Sequence, residues 1–163
     1  MRHEQGFVLL GVLVALAVVA LLAVEFGQRA GDRRQRDAEE ELLDVGREMR
    51  QAIESYWRAS PGGVRTLPTR LEDLLLDPRF PQPQRHLRRL LRDPLPPHRP
   101  WGVIRQGRGI VGVYSQADGT PFRRTGFGPA EAGFDTARSY ADWRFVFMVP
   151  VRVPVTPVLK EQQ

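Results

Sequence analysis

The residues that could carry chemistry are few and scattered. His3, His86 and His98 stand far apart, with no paired spacing that would bring two imidazoles onto one metal ion. There is no cysteine, which excludes a thiolate nucleophile, a disulfide and a cysteine-held zinc, and leaves the redox compartment unread. Ser115 lacks the flanking glycines of a nucleophile elbow. Gly107-x-Gly109-x-x-Gly112 has the spacing of a phosphate-cradling loop, but such a loop must pass from a strand into a helix N-terminus. Here it leads into Val113-Tyr114-Ser115 and another turn, so a hairpin is the preferred reading. Arg85, Arg88, Arg89, Arg92, Arg99, Arg105, Arg108, Arg123 and Arg124 could together form a basic face. DNA binding would want aromatics interleaved for stacking, or a helix shaped for a groove; neither stands out, and a solvated arginine-rich surface is preferred over nucleic acid. Nothing reads as an active site, so no enzyme activity, cofactor or metal site is expected.

The distribution of residues along the chain says more. The 163 residues are 42% hydrophobic and 26% charged, a globular composition with room for one ordinary domain, or a small domain and an attachment element. Formal charge is +5, and only Lys160 among the basic residues is not arginine. All 14 prolines lie at or beyond Pro61. From Phe7 to Val24 every residue is uncharged and apolar, broken only by Gly11. The proline-free front and the proline-rich back therefore need separate explanations.

Phe7 to Val24 makes about 27 Å of helix, close to the roughly 30 Å of a hydrocarbon core, and Phe26 adds apolar length past Glu25. A soluble core helix would show a polar face, and this run has none, which predicts a membrane helix over 7–26. A cleaved secretory signal would be followed by a small-x-small site and a mature domain. Instead the chain continues into a charged stretch with Glu25/Arg29, Asp32/Arg36, Arg33/Asp37 and Arg36/Glu40 at i, i+4. From Leu42, the positions Leu42, Val45, Met49, Ala52, Ile53, Tyr56 and Trp57 form an apolar stripe of period 3.6. Ser60-Pro61-Gly62-Gly63 ends it. The expectation is one helix of about 50 residues, bending if anywhere at Gly27 or Gly31: residues 7–26 in lipid, and 27–60 an amphipathic continuation laid on a soluble domain. Arg2 is the only Lys or Arg before the run, whereas Arg29, Arg33, Arg34 and Arg36 follow it, so charge bias alone places the domain in the cytoplasm.

The back half reads as α+β. Thr69 followed by Glu72 predicts a capped helix over Thr69 to Leu76, and Arg85 to Leu91 reads as a further helical turn closed by Asp93-Pro94. Trp101 to Gln106 and Ile110 to Ser115 read as a hairpin around Gly107-Arg108-Gly109, Asp118-Gly119 as a turn, and Arg144 to Val149 as a closing strand. Residues 151–163 read as an extended tail. The fold class expected is a long N-terminal helix packed on a small antiparallel sheet.

The junction Gln5-Gly6-Phe7-Val8-Leu9-Leu10 resembles the class III signal of type IV pilins and type II secretion pseudopilins. Leu67-Pro68-Thr69-Arg70-Leu71-Glu72-Asp73-Leu74-Leu75 is similar to the Pro-Thr-x-Leu-x-x-Leu segment of the major pseudopilin. Arg92-Asp93-Pro94 with Trp101-Gly102-Val103-Ile104, and Gly112 to Gly119, are similar to its Asp-Pro-Trp-Gly and Ser-x-Gly-Ala-Asp-Gly motifs, the first split here by the six residues 95–100. The resemblance implies a leader of residues 1–6 cut by prepilin peptidase after Gly6, with N-methylation of Phe7. It implies single-pass anchoring in the inner membrane, with residues 61–150 as a periplasmic domain of pilin-like fold. The implied partners are prepilin peptidase, other pseudopilins or pilins of the same filament, an inner-membrane assembly platform and secreted cargo. The family's Glu at the fifth mature position is replaced by Gly11, which implies a minor or tip subunit. The major pseudopilin also binds calcium after its Asp-Gly turn; Asp118, Asp135 and Asp142 offer suitable oxygens, but three loop aspartates are read as turn residues. Two other readings stay open: a DNA-uptake minor pilin using the arginine surface, and a signal-anchored binding module unrelated to pili.

Overall fold

With no proline in the first 60 residues, nothing interrupts the backbone hydrogen-bond ladder, and α1 runs unbroken from His3 to Arg58. The computed structural model describes residues 3–150 and, within them, the side chains of 10–22 and 31–150. The 56 residues of α1 extend about 84 Å by rise per residue. The helix begins at His3 rather than Phe7, because nothing in Glu4-Gln5 breaks it. It ends in full satisfaction of its last carbonyls, which have no partner within the helix. Ala59 N donates to Ser55 O, Arg79 to Tyr56 O, Ser60 to Trp57 O, and Arg65 to Arg58 O.

α1 has two contrasting parts. Every large apolar side chain from Leu10 to Leu22 is 48–71% exposed. Among the described residues no helix is long and apolar enough to cross a membrane. The apolar side chains described there cover 10–22, about 20 Å of helix, and the flanks of the expected span lie outside the described side chains. Further along, Leu42, Leu43, Met49, Ala52, Ile53 and Tyr56 are buried, and Val45 and Trp57 half-buried against the same core. The stripe thus faces inward as its spacing requires.

The domain is α+β. β1 (Gly102–Gln106), β2 (Gly109–Tyr114) and β3 (Arg144–Val146) form an antiparallel sheet in the order β1-β2-β3. Gly107, at φ 61°, takes the first position of the tight turn between β1 and β2, which glycine fills without a Cβ penalty. β2 lies centrally, pairing Val113 with Val103 on one side and Phe145 on the other. β2 and β3 pack on α1. The two come close at Gly46, where a Cβ would come within 2.4–2.5 Å of the Phe145 ring. Behind it, Phe127, Phe134, Tyr140, Trp143 and Phe145 pack ring to ring with centroids 5.4–5.8 Å apart.

Three local expectations are corrected. The segment after Thr69 is a single 3-10 turn, Leu71–Leu74, and its cap is Asp73, not Glu72. Asp73 Oδ2 accepts the Thr69 and Arg70 amides at 3.0 Å each and the Thr69 hydroxyl at 3.1 Å. Arg85 to Leu91 is not helical; it docks on the Leu71–Leu74 turn, its His86 and Leu87 amides both donating to Leu74 O at 2.9 Å. The closing strand stops at Val146; Phe147 N still reaches Val111 O at 2.8 Å, and Met148 beyond it is exposed. Residues 151–163 lie outside the described residues.

Candidate functional site

The positions singled out for processing and assembly all lie on α1. The Gly6–Phe7 peptide bond is within the helix, and the Phe7 side chain lies outside those described. Gly11 is exposed, and a Cβ built on it meets nothing within 4 Å. A side chain at position 11 would therefore meet no steric obstacle in this chain. What surrounds Gly11 is the exposed apolar surface of residues 10–22, apolar on every side of the helix. Such a surface fits lipid or other apolar helices far better than water.

The two motif segments split in sequence are joined in space. Asp93, buried, accepts the Ser115 hydroxyl at 2.5 Å and the Leu95 amide at 3.0 Å. Ser115 Oγ in turn accepts the Ala117 amide at 3.1 Å. Trp101 Nε1 donates to Leu91 O at 2.8 Å, which spans the six-residue gap. Arg99 grips the Asp118 carboxylate with both terminal nitrogens at 3.0 and 2.7 Å. The Asp-Pro, Trp-Gly and Ser-to-Gly119 segments are one hydrogen-bonded corner of the domain.

Residues that sequence reasoning missed hold α1 to its loops. Glu39 is buried, and its carboxylate accepts Phe122 N at 2.7 Å, Arg123 N at 3.0 Å and the Tyr140 hydroxyl at 2.7 Å. Gln35 completes the chain by donating to the Tyr140 oxygen at 2.7 Å. Burial, then the bond to Glu39, pushes the Tyr140 phenol above its usual range, so the donor keeps its proton throughout the physiological range. Glu131, also buried, sits between Arg47 and Arg50 at 3.4 and 3.2 Å. Helical phase was the available signal for Glu39, which lies three and four residues before Leu42 and Leu43.

One cluster has the composition of a hydrolytic triad. Ser55 Oγ lies 2.9 Å from His86 Nδ1, and His86 Nε2 lies 3.3 Å from Asp77 Oδ2. Its surroundings favour a clasp. Ser55 is in the last turn of α1, the end at which a helix presents carbonyls rather than amides, the wrong polarity for stabilising an oxyanion. Asp77 is already saturated by Arg79, whose Nε lies 2.8 and 3.1 Å from the two carboxylate oxygens. Arg79 also donates to Ser60 Oγ, Thr66 Oγ1 and Tyr56 O, and its guanidinium stacks 3.6 Å from the Tyr56 ring centroid. Burial raises the Asp77 carboxyl, but the bonds from Arg79 and His86 outweigh it and hold it below its ordinary value.

Neither remaining constellation converges. Asp118 is paired with Arg99, Asp142 caps the 3-10 turn Tyr140–Asp142 through the Arg138 and Ser139 amides, and Asp135 accepts from Thr136. The Ser139 and Arg138 amides lower the Asp142 carboxyl. Among the described residues no three His, Asp or Glu side chains group as a metal ion would need. Of the nine arginines, Arg99, Arg105, Arg123 and Arg124 bind the domain's own loops. The chain matches no protein-family model, no curated protein and no solved structure.

Proposed function

We propose that the chain is a pseudopilin-like subunit of a type II secretion system or a related type IV pilus-like machine. Prepilin peptidase would cut between Gly6 and Phe7 and methylate the new terminus. Residues 7–26 would cross the inner membrane, and the pilin-like α+β domain would stand in the periplasm. The observation that carries this reading is the exposed apolar surface of residues 10–22, borne on the same unbroken helix that supplies the domain's core from Leu42 to Trp57. Lipid would cover that surface before assembly, and the helices of other subunits after it. The motif segments joined through Asp93 and Ser115 support the same reading. Gly11 in place of the family's Glu fits a minor or tip subunit: the protonated amine of mature Phe7 wants a nearby carboxylate, and a terminal subunit has one neighbour fewer to offer it to.

The test is filament incorporation. Expressed with a type II secretion machine, the chain should be recovered by immunoblot in sheared filaments at low copy number, and its complete absence from them contradicts the proposal. One observation favours a second reading, a cytoplasm-facing anchored binding module: the arginine excess at 29–36 against Arg2 alone before the apolar run. A reporter active only in the periplasm, fused after Gln163, separates the two.

A further inference from the structure

The charges of α1 are ordered along its axis, beginning where the apolar surface ends. Leu10 to Leu22 is apolar; after the lone Glu25 come Arg29, Arg33, Arg34 and Arg36 with only Asp32 among them; then come Asp37, Glu39, Glu40, Glu41, Asp44 and Glu48, with Arg47 among them. Arg33, Arg34 and Arg36 are exposed, and among the described residues none of the three makes a salt bridge. Beside them the domain has an open groove of about 430 Å³ between residues 31–38 of α1 and the loops at Pro94–Pro96 and Ala117–Asp118. Its walls are largely apolar, from Ala38, Leu95, Pro96 and the Tyr140 ring, and Arg34 stands at its edge. Its one acidic neighbour, Asp118, is held by Arg99.

From this order we infer that the foot of the domain is a contact for anionic phospholipid headgroups, with the phosphate at Arg33, Arg34 and Arg36 and the groove beside Arg34 taking the headgroup. The inference rests on the anchored reading above and adds a lipid preference to it. Arg33 is nine residues past Val24, about 14 Å along the axis, and helical side chains lean back toward the N-terminus, so its guanidinium is directed at the headgroup layer. The acidic stretch begins farther out, where a negative surface would repel it least. Arginines after the run are then explained by lipid contact without requiring the domain to face the cytoplasm.

The cysteine-free chain permits a clean reporter. The full chain with Thr120→Cys, an exposed position two residues from Asp118, is labelled with an environment-sensitive fluorophore. It is reconstituted in vesicles of phosphatidylcholine alone or with phosphatidylglycerol, each carrying a headgroup-attached quencher. Strong quenching is expected only with phosphatidylglycerol, lost in high salt and in the triple variant R33Q/R34Q/R36Q. Each arginine near an anionic surface favours contact about fivefold, so the triple variant shifts the equilibrium on the order of a hundredfold. Equal quenching in both vesicle types, or quenching that survives the triple variant, overturns the inference while leaving anchoring intact. Duplex DNA protecting the label where anionic lipid does not would assign these arginines to nucleic acid and also overturns it. Failure of the chain to float with any vesicle removes the anchored reading and this inference together.

Discussion

Glu39 offers the sharpest test of how the long helix is joined to its domain. Replacing Glu39 with Ala removes the acceptor of three donors at once: Phe122 N, Arg123 N and the Tyr140 hydroxyl. A buried donor left unpaired costs about 1–3 kcal/mol. Phe122 is partly exposed and its amide can recover a water, so the sum is discounted to about 3–5 kcal/mol. For a domain of this size that lowers the melting temperature by about 10–20 °C. Glu39→Gln keeps one acceptor oxygen but turns an amide donor toward another, and should lose about 2 kcal/mol. The assay is thermal unfolding of the full chain in detergent, followed by near-ultraviolet circular dichroism of the aromatic cluster. Hydrogen exchange should show the Phe122 and Arg123 amides losing protection first. If Glu39→Ala costs under about 1 kcal/mol and both amides stay protected, the clasp does not exist as described.

Gly46→Ala would drive its Cβ to within 2.5 Å of the Phe145 ring and should destabilise by about 1–3 kcal/mol in the same melt, whereas Gly31→Ala, with nothing within 4 Å, should be neutral or gain up to about 1 kcal/mol. Asp77, with its carboxyl held below the ordinary range, contributes stability that is present above its unfolded value and lost as pH falls through its folded value. Wild-type melting temperature should therefore drop on the acid side of pH 4 by more than that of Asp77→Asn; parallel curves would show that Asp77 is not the titrating group. Gly11→Glu should raise recovery in sheared filaments and Gly11→Ala should not; equal gains would mean that helix propensity, not charge, limits assembly.

The part of this fold governed by local rules was readable from the residues. The stripe from Leu42 to Trp57 repeats at the helical period and lies buried, and the β1–β2 hairpin announced itself through Gly107 between two apolar runs. Local rules failed where backbone groups were committed to distant partners. Leu87, Leu90 and Leu91 have helical spacing, but the segment docks on the Leu71–Leu74 turn instead, with the His86 and Leu87 amides on Leu74 O and Leu87 buried. Thr69 and Glu72 have the capping spacing, but the tighter 3-10 turn moves the acidic cap one residue on, to Asp73. The clasps were hidden for the same reason. Glu39 sits in a run of acids indistinguishable by type, and Asp77, Arg79, His86 and Ser55 meet only because the chain after α1 doubles back on its C-terminal end.

The central claim, that this chain is processed and assembled as a pseudopilin, is tested most directly by the mass of its N-terminal peptide. The full chain is expressed with an active prepilin peptidase, purified from membranes and digested. The account predicts loss of Met1 to Gly6 and a terminal peptide beginning with N-methylated Phe7, with Gly6→Leu preventing the cut. An intact N-terminus ahead of Gly6 in wild type, while a known prepilin in the same cells is processed, would contradict it.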